Sequence, residues 1–142
     1  MSGNTWQSYV DNLMADGTCE DAAIVGYCEN KYVWASGPVG HLRELTAEQI
    51  DALASKERGK LCTEGVCLGK TKCSLIRDEL DIDQQHTMDL RTKDPAGGPT
   101  CNISIAKAGQ VMVIVEGKNG IPGGTLNKKA FETARYLQQS GF

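Results

Sequence analysis

Apolar residues recur at helical spacing near the start of the chain. Trp6, Tyr9, Val10, Leu13 and Met14 fall at i, i+3, i+4, i+7 and i+8, which is one face of a helix. This predicts a helix from about Thr5 to Ala15. Asp16-Gly17 supplies the stop, because glycine takes the left-handed position after a helix at little cost. The pattern then changes. Ala22 to Cys28 is nearly all apolar and reads as a buried strand, and Tyr32-Val33-Trp34-Ala35 reads as a second strand after a short Glu29-Asn30-Lys31 turn. Ser36-Gly37-Pro38-Val39-Gly40 breaks the chain. Thr46 with Gln49 three residues later is a capping box that opens a short helix to about Ala54.

The middle of the chain is rich in short strand patterns. Leu61 to Thr63, Val66 to Leu68, Lys72 to Asp78 and Thr87 to Lys93 are the candidates, and the longer two partly alternate as half-buried antiparallel strands do. Asp94 to Pro99 is a loop. Asn102 to Ala106 and Val111 to Glu116 form a last hairpin turning at Ala108-Gly109. Val111 to Val115 is apolar throughout, so that strand should be central and covered on both faces. Gly117 to Gly124 is a glycine-rich loop, and Thr125 is the expected cap of a terminal helix to about Gln139. Leu126, Ala130, Phe131, Ala134 and Leu137 lie near one face of it. The order of elements argues for an α+β fold with a central antiparallel sheet.

With 142 residues, 40% of them hydrophobic, the chain suits a single domain spanning 1–142. A net charge of −3 argues against a nucleic-acid partner, because phosphate binding needs a basic surface. No run of apolar residues is long enough for a membrane span. Met1 to Trp6 lacks the basic and apolar regions of a secretory leader, so a cytoplasmic protein is expected. Of the six cysteines, Cys19, Cys28, Cys62, Cys67, Cys73 and Cys101, none forms a C-x-x-C pair. They read as reduced, mostly structural thiols rather than disulfides or metal ligands.

Gly65-Val66-Cys67-Leu68-Gly69-Lys70-Thr71 resembles a phosphate loop but has three residues between its glycines where the Walker motif has four. No G-x-S-x-G, H-E-x-x-H or G-x-G-x-x-G is present, and there are only two histidines, His41 and His86. Asp81 and Asp83 read as a solvated loop. The expectation is a binding protein with no cofactor and no metal. A nucleotide-binding enzyme built on residues 65–71 is the alternative in that class.

The aromatic residues point elsewhere. The chain has two Trp, four Tyr and two Phe, and Trp6, Tyr9, Tyr136 and Phe142 lie near its ends, with Trp34 on an early strand. Tyr136 is off the apolar stripe of the last helix, and Phe142 is a terminal residue that is hard to bury unless something docks it. If the terminal helices lie side by side, these rings can line a groove. A polyproline helix suits such a groove, since it is preformed and costs little entropy to bind.

The blocks Trp6 to Met14 with Ala22 to Gly26, Lys72 to Asp78, Met88 to Lys93, and Gly123-Gly124 with Leu126 to Lys129 resemble an animal profilin, in order and over nearly the whole chain. The resemblance implies a sheet with the N- and C-terminal helices packed together on one face and shorter helices on the other. It implies binding of monomeric actin, regulation of polymerisation and nucleotide exchange on actin, docking of proline-rich proteins, and phosphoinositide binding. Carried over by position, the proline-rich site is Trp6, Tyr9, Trp34, Tyr136 and Phe142. The actin face is Lys72, Ser74, Arg77, Arg91, Lys93, Thr100, Asn102, Ile121, Gly124, Asn127, Phe131 and Glu132. Arg91 and Lys93 would contact phosphoinositides, with low affinity at this net charge. A phosphoinositide-binding signalling module with little actin affinity is the second functional alternative.

Overall fold

The two most apolar runs of the chain become neighbouring central strands. A computed structural model describes residues 6–37, 40–56, 58–93, 97–98 and 100–142, with nothing described for the side chains of residues 58 and 62. Seven strands form one antiparallel sheet: β1 (Cys19–Gly26), β2 (Val33–Ser36), β3 (Val66–Leu68), β4 (Thr71–Glu79), β5 (Thr87–Thr92), β6 (Asn102–Lys107) and β7 (Val111–Gly117). Their spatial order is β2-β1-β7-β6-β5-β4-β3. β1 pairs with β7 through Ala23↔Ile114 and Ile24↔Val113. Every residue of β7 is buried, as expected for a strand covered on both faces.

Alternation along these strands feeds two cores. Ala22, Ile24, Val111, Val113 and Val115 face one way, against Val10 and Leu13 of α1 (Trp6–Met14) and Leu126, Ala130, Ala134 and Leu137 of α4 (Gly123–Gln139). Ala23, Val25, Met112 and Ile114 face the other way. There they meet Ile50 and Leu53 of α2 (Ala47–Ala54), Leu61 of α3 (Arg58–Glu64) and Leu42 of a short 3-10 helix (Leu42–Glu44). The terminal helices therefore share one face and the short helices the other. The Thr46–Gln49 capping box opens α2, with Thr46 Oγ1 accepting from Gln49 N–H at 3.1 Å and the Gln49 side chain accepting from Thr46 N–H.

Several boundaries differ from the sequence reading. Leu61 to Thr63 is helical, not a strand. Three residues are too few to show a period, and here Leu61 enters the core while Lys60 and Glu64 pair along the helix surface. β1 starts earlier, at Cys19, and ends at Gly26. α4 begins at Gly123 with Pro122 as its cap residue and no side-chain cap bond. Thr125 lies inside the first turn, its N–H bonded to the Pro122 carbonyl at 3.2 Å. Leu126, packed where Gly117 leaves no side chain, fixes the start of that helix more strongly than the capping preference of Thr125. Phe131 is half-buried rather than core. Asp81 is not merely solvated, since Lys107 Nζ reaches it at 2.7 Å, whereas Asp83 is exposed. The expected positions of Thr5, Pro38, Val39, Asp94 to Ala96 and Pro99 lie outside the described residues.

A half-buried histidine, His41, meets the buried Glu116 of β7. His41 Nε2 contacts the Glu116 carboxylate, and His41 Nδ1 lies 3.2 Å from the Leu68 carbonyl. Both partners are acceptors, so only the doubly protonated imidazolium satisfies both. The Glu116 hydrogen bond accordingly raises the His41 pKa above its ordinary 6.5, against an opposing effect of burial. A group whose pKa rises on folding adds stability below its unfolded value and loses it as pH climbs through the folded one. The melting temperature is therefore expected to fall as pH rises from below 6.5 through the folded His41 pKa. In Glu116→Gln the slope in that window should flatten, and equal slopes in thermal melts would exclude the pair as its source.

Candidate functional site

The site begins with α1. Val10 and Leu13 anchor its inner face, which leaves Trp6 and Tyr9, one turn apart, half-buried toward α4 and β2. The Trp6 ring meets Trp34 edge-on at 5.0 Å between centroids and Phe142 edge-on at 4.8 Å. Tyr9 lies 5.8 Å from Trp6 and 6.2 Å from Tyr136. All five aromatic residues singled out in the sequence thus form one continuous cluster. Its rim is open, with Tyr136 57% and Phe142 37% exposed. Tyr32, which sequence reasoning passed over, extends the row. Its ring stands 6.2 Å from Trp34, although Tyr32 itself lies just before β2.

The loops explain how the rings are held. Trp34 is oriented by its indole N–H, which donates to the Asn30 carbonyl at 3.2 Å. Phe142 is docked through its backbone: its N–H donates to Leu137 O at 2.9 Å, and its carbonyl accepts from Gln110 N–H. Gly109 allows this approach, since a Cβ there would stand 3.1 Å from Phe142 O. The Tyr27 hydroxyl donates to the Ala108 and Gly109 carbonyls and fixes that turn, and burial pushes its pKa up to about 12. Lys129 ties α4 to the end of α1. Its Nζ donates to Leu13 O at 2.8 Å, to both Asp16 carboxylate oxygens and to Thr18 Oγ1. That ammonium holds the Asp16 carboxyl well below the usual carboxylate range.

Most residues assigned to a globular partner lie on the other flank of α4; Glu132, one turn before Tyr136, instead lines a cavity with Asn12 and Leu13 of α1. α4 packs over β6 and β7 and reaches β5, where Asn127 meets Asp89, so the same face of β4 lies beyond it. Ser74, Arg91 and Asn102 form a cross-strand row through the pairs Ser74↔Arg91 and Arg91↔Asn102. Arg91 Nε donates to Thr100 Oγ1 at 2.8 Å, and its Nη1 lies 3.5 Å from Asn102 Oδ1. Asn102 in turn donates to Ile121 O at 3.0 Å and secures the loop before α4. Lys72 on β4 and Lys93 just past the end of β5 are exposed, joined by a Lys93 N–H to Lys72 O bond of 2.8 Å. Gly124, Asn127, Phe131 and Glu132 follow along α4. Phe131 contributes to a side cavity with Ala134, Arg135 and Gln138 from α4 and Gln85 and His86 from the loop before β5.

Residues 65–71 form the β3–β4 hairpin, turning at Gly69-Lys70, rather than the strand–loop–helix unit of a phosphate loop. Among the described residues no group of three or more His, Cys, Asp and Glu side chains is placed to hold a metal ion, and no helix is long and apolar enough to cross a membrane. Cys19 and Cys73 are small apolar members of the two cores.

Fold and surface together define an α+β module with a partly exposed aromatic cluster where its terminal helices and β2 meet. The family model that describes profilins matches residues 4–142, and the chain belongs to the profilin family. It is 53% identical over 137 residues to Profilin-2 of Rattus norvegicus, covering 96% of this chain and 98% of the relative. Identity to human Profilin-1 is 44% over the same length, with the same coverage of both chains. Among solved structures, mouse profilin IIa in complex with a double repeat from the FH1 domain of mDia1 superposes with a TM-score of 0.95. It shares 53% identity and covers 96% of this chain and 99% of that one.

Proposed function

We propose that the chain binds monomeric actin, regulates actin polymerisation and nucleotide exchange, and docks proline-rich segments in its aromatic trough. The reading makes it a single-domain adaptor of the cytoplasm and cytoskeleton that performs no catalysis. The observation that carries it is the convergence of Trp6, Tyr9, Trp34, Tyr136 and Phe142, from both ends of a profilin chain, into one open-rimmed cluster. Ring faces suit proline rings, and the Tyr and Trp polar tips can donate to proline carbonyls, which have no N–H of their own beside them. The relative from mouse, solved with an FH1 double repeat, supports this assignment.

Lys72, Arg77, Arg91 and Lys93, with Ser74, Thr100, Asn102, Ile121, Gly124, Asn127, Phe131 and Glu132, form the proposed actin surface. The four cations supply steering toward an acidic partner, and Phe131 and Ile121 supply apolar contact. Arg91 and Lys93 would also meet phosphoinositides, weakly, because each basic residue near a lipid surface adds only about 1 kcal/mol.

Co-elution with monomeric actin is the primary test. Arg91→Glu reverses a charge in the middle of the Ser74–Arg91–Asn102 row and removes the donors to Thr100 and Asn102. It is expected to weaken actin binding by at least about tenfold while leaving proline-resin retention intact. An unaltered dissociation constant would remove Arg91 from the surface.

A further inference from the structure

We infer that Asp89 is the positioning residue of the actin surface, acting through Arg77 and Asn127 rather than by touching the partner. The inference rests on the proposed actin-binding reading. Asp89 sits in the middle of β5 between the buried Met88 and Leu90, with only 14% of its side chain exposed. Its carboxylate gathers donors from three other elements. Oδ2 accepts from Arg77 Nη2 at 3.0 Å and Nε at 3.3 Å, from β4. Oδ1 accepts from Ser104 Oγ at 2.7 Å, from β6, and from Asn127 Nδ2 at 3.0 Å, from α4.

Of these partners, Ser104 is buried, whereas Arg77 keeps 55% of its side chain exposed and Asn127 is half-buried. The hub therefore reaches the surface through these two. A free arginine on a strand loses side-chain entropy when a partner immobilises it. Asp89 Oδ2 takes both Nε and Nη2 of the guanidinium, and Glu79 Oε1 also stands 3.3 Å from Nε, so the guanidinium is already placed. The same carboxylate fixes the Asn127 amide and the height of α4 over β5. Charge alone argues against this residue here, because an anion amid Lys72, Arg77, Arg91 and Lys93 opposes an acidic partner. Its contribution is geometric.

That contrast gives the test. Binding of monomeric actin is followed by stopped flow for the wild type, Asp89→Asn, the pair Arg77→Ala/Asn127→Ala, and all three substitutions together. Asp89→Asn turns an acceptor toward donors and presents an N–H2 group to Ser104 and Asn127. The association rate should hold or rise, since a negative charge is lost. The dissociation rate should rise about tenfold. In the Arg77→Ala/Asn127→Ala background the same substitution should change dissociation by less than about twofold, because the groups it positions are gone. If Asp89→Asn fails to fold, Asp89→Ser, which brings no competing amide, takes its place in the cycle. Thermal melts and proline-resin retention confirm that each variant is folded. Equal effects of the Asp89 substitution in both backgrounds, or none in either, would overturn the inference while leaving the function standing. A wild-type chain that does not bind actin would overturn both.

Discussion

Trp6→Ala is expected to abolish retention on a polyproline resin while leaving the fold in place. Trp6 is the centre of the cluster, within 5.8 Å of Tyr9, 5.0 Å of Trp34 and 4.8 Å of Phe142. Its loss deletes the floor of the trough and frees Phe142 and Trp34 from their edge-on partner. Central aromatic anchors typically cost at least about 2 kcal/mol when truncated, roughly a thirtyfold loss of affinity. Three aromatic contacts worth about 0.5–1.5 kcal/mol each are removed from the fold itself. Val10, Leu13 and the Lys129 bonds still hold α1 to the sheet, so the variant should melt a few degrees lower, not unfold. A variant that melts like a folded protein and still binds the resin would end the assignment of the trough.

Gly26→Ala should damage both stability and the trough, although Gly26 touches no ligand. Gly26 closes β1, and its N–H donates to Tyr32 O at 3.1 Å across the turn. A Cβ there would stand 2.2 Å from the Asn30 carbonyl and 2.6 Å from Trp34 Nε1. Those are the two atoms of the hydrogen bond that orients the indole. The methyl cannot be accommodated without moving backbone, so the cost should sit near the top of the about 1–3 kcal/mol typical of overpacking. The expected melting temperature drop is about 5–10 °C. Proline-resin retention should fall with it, because Trp34 must leave its place beside Trp6. Native-like melting with full retention would show that the turn relaxes freely around the methyl group.

What could be read from the chain followed from period and what could not followed from distance. Val111 to Val115 and Ala22 to Val25 announced their double burial because covered strands need apolar side chains at every position. Trp6, Tyr9, Val10 and Leu13 announced α1 for the same kind of reason. The trough was legible only through the oddness of Tyr136 and Phe142, which no apolar stripe absorbed. Asp89 was harder. A carboxylate between Met88 and Leu90 asks for a partner, but its donors are 12, 15 and 38 residues away. Glu116 is a parallel case, an acid at the end of an apolar strand whose partner, His41, is 75 residues distant. Leu61 to Thr63 failed for want of length, and Thr125 because packing at Gly117 outranked a local preference.

α4 carries residues of both proposed surfaces. Tyr136 near its end faces Tyr9, while Asn127 near its start faces Asp89, about 13 Å away along the axis at the rise of a helix. A proline-rich strand lying in the trough therefore leaves the β4–β5 flank clear for a second, larger cargo. Any chain carrying several proline-rich stretches would then work as a leash. It would hold cargo at the millimolar effective concentrations that short flexible tethers create, without adding a single new contact between cargo and leash.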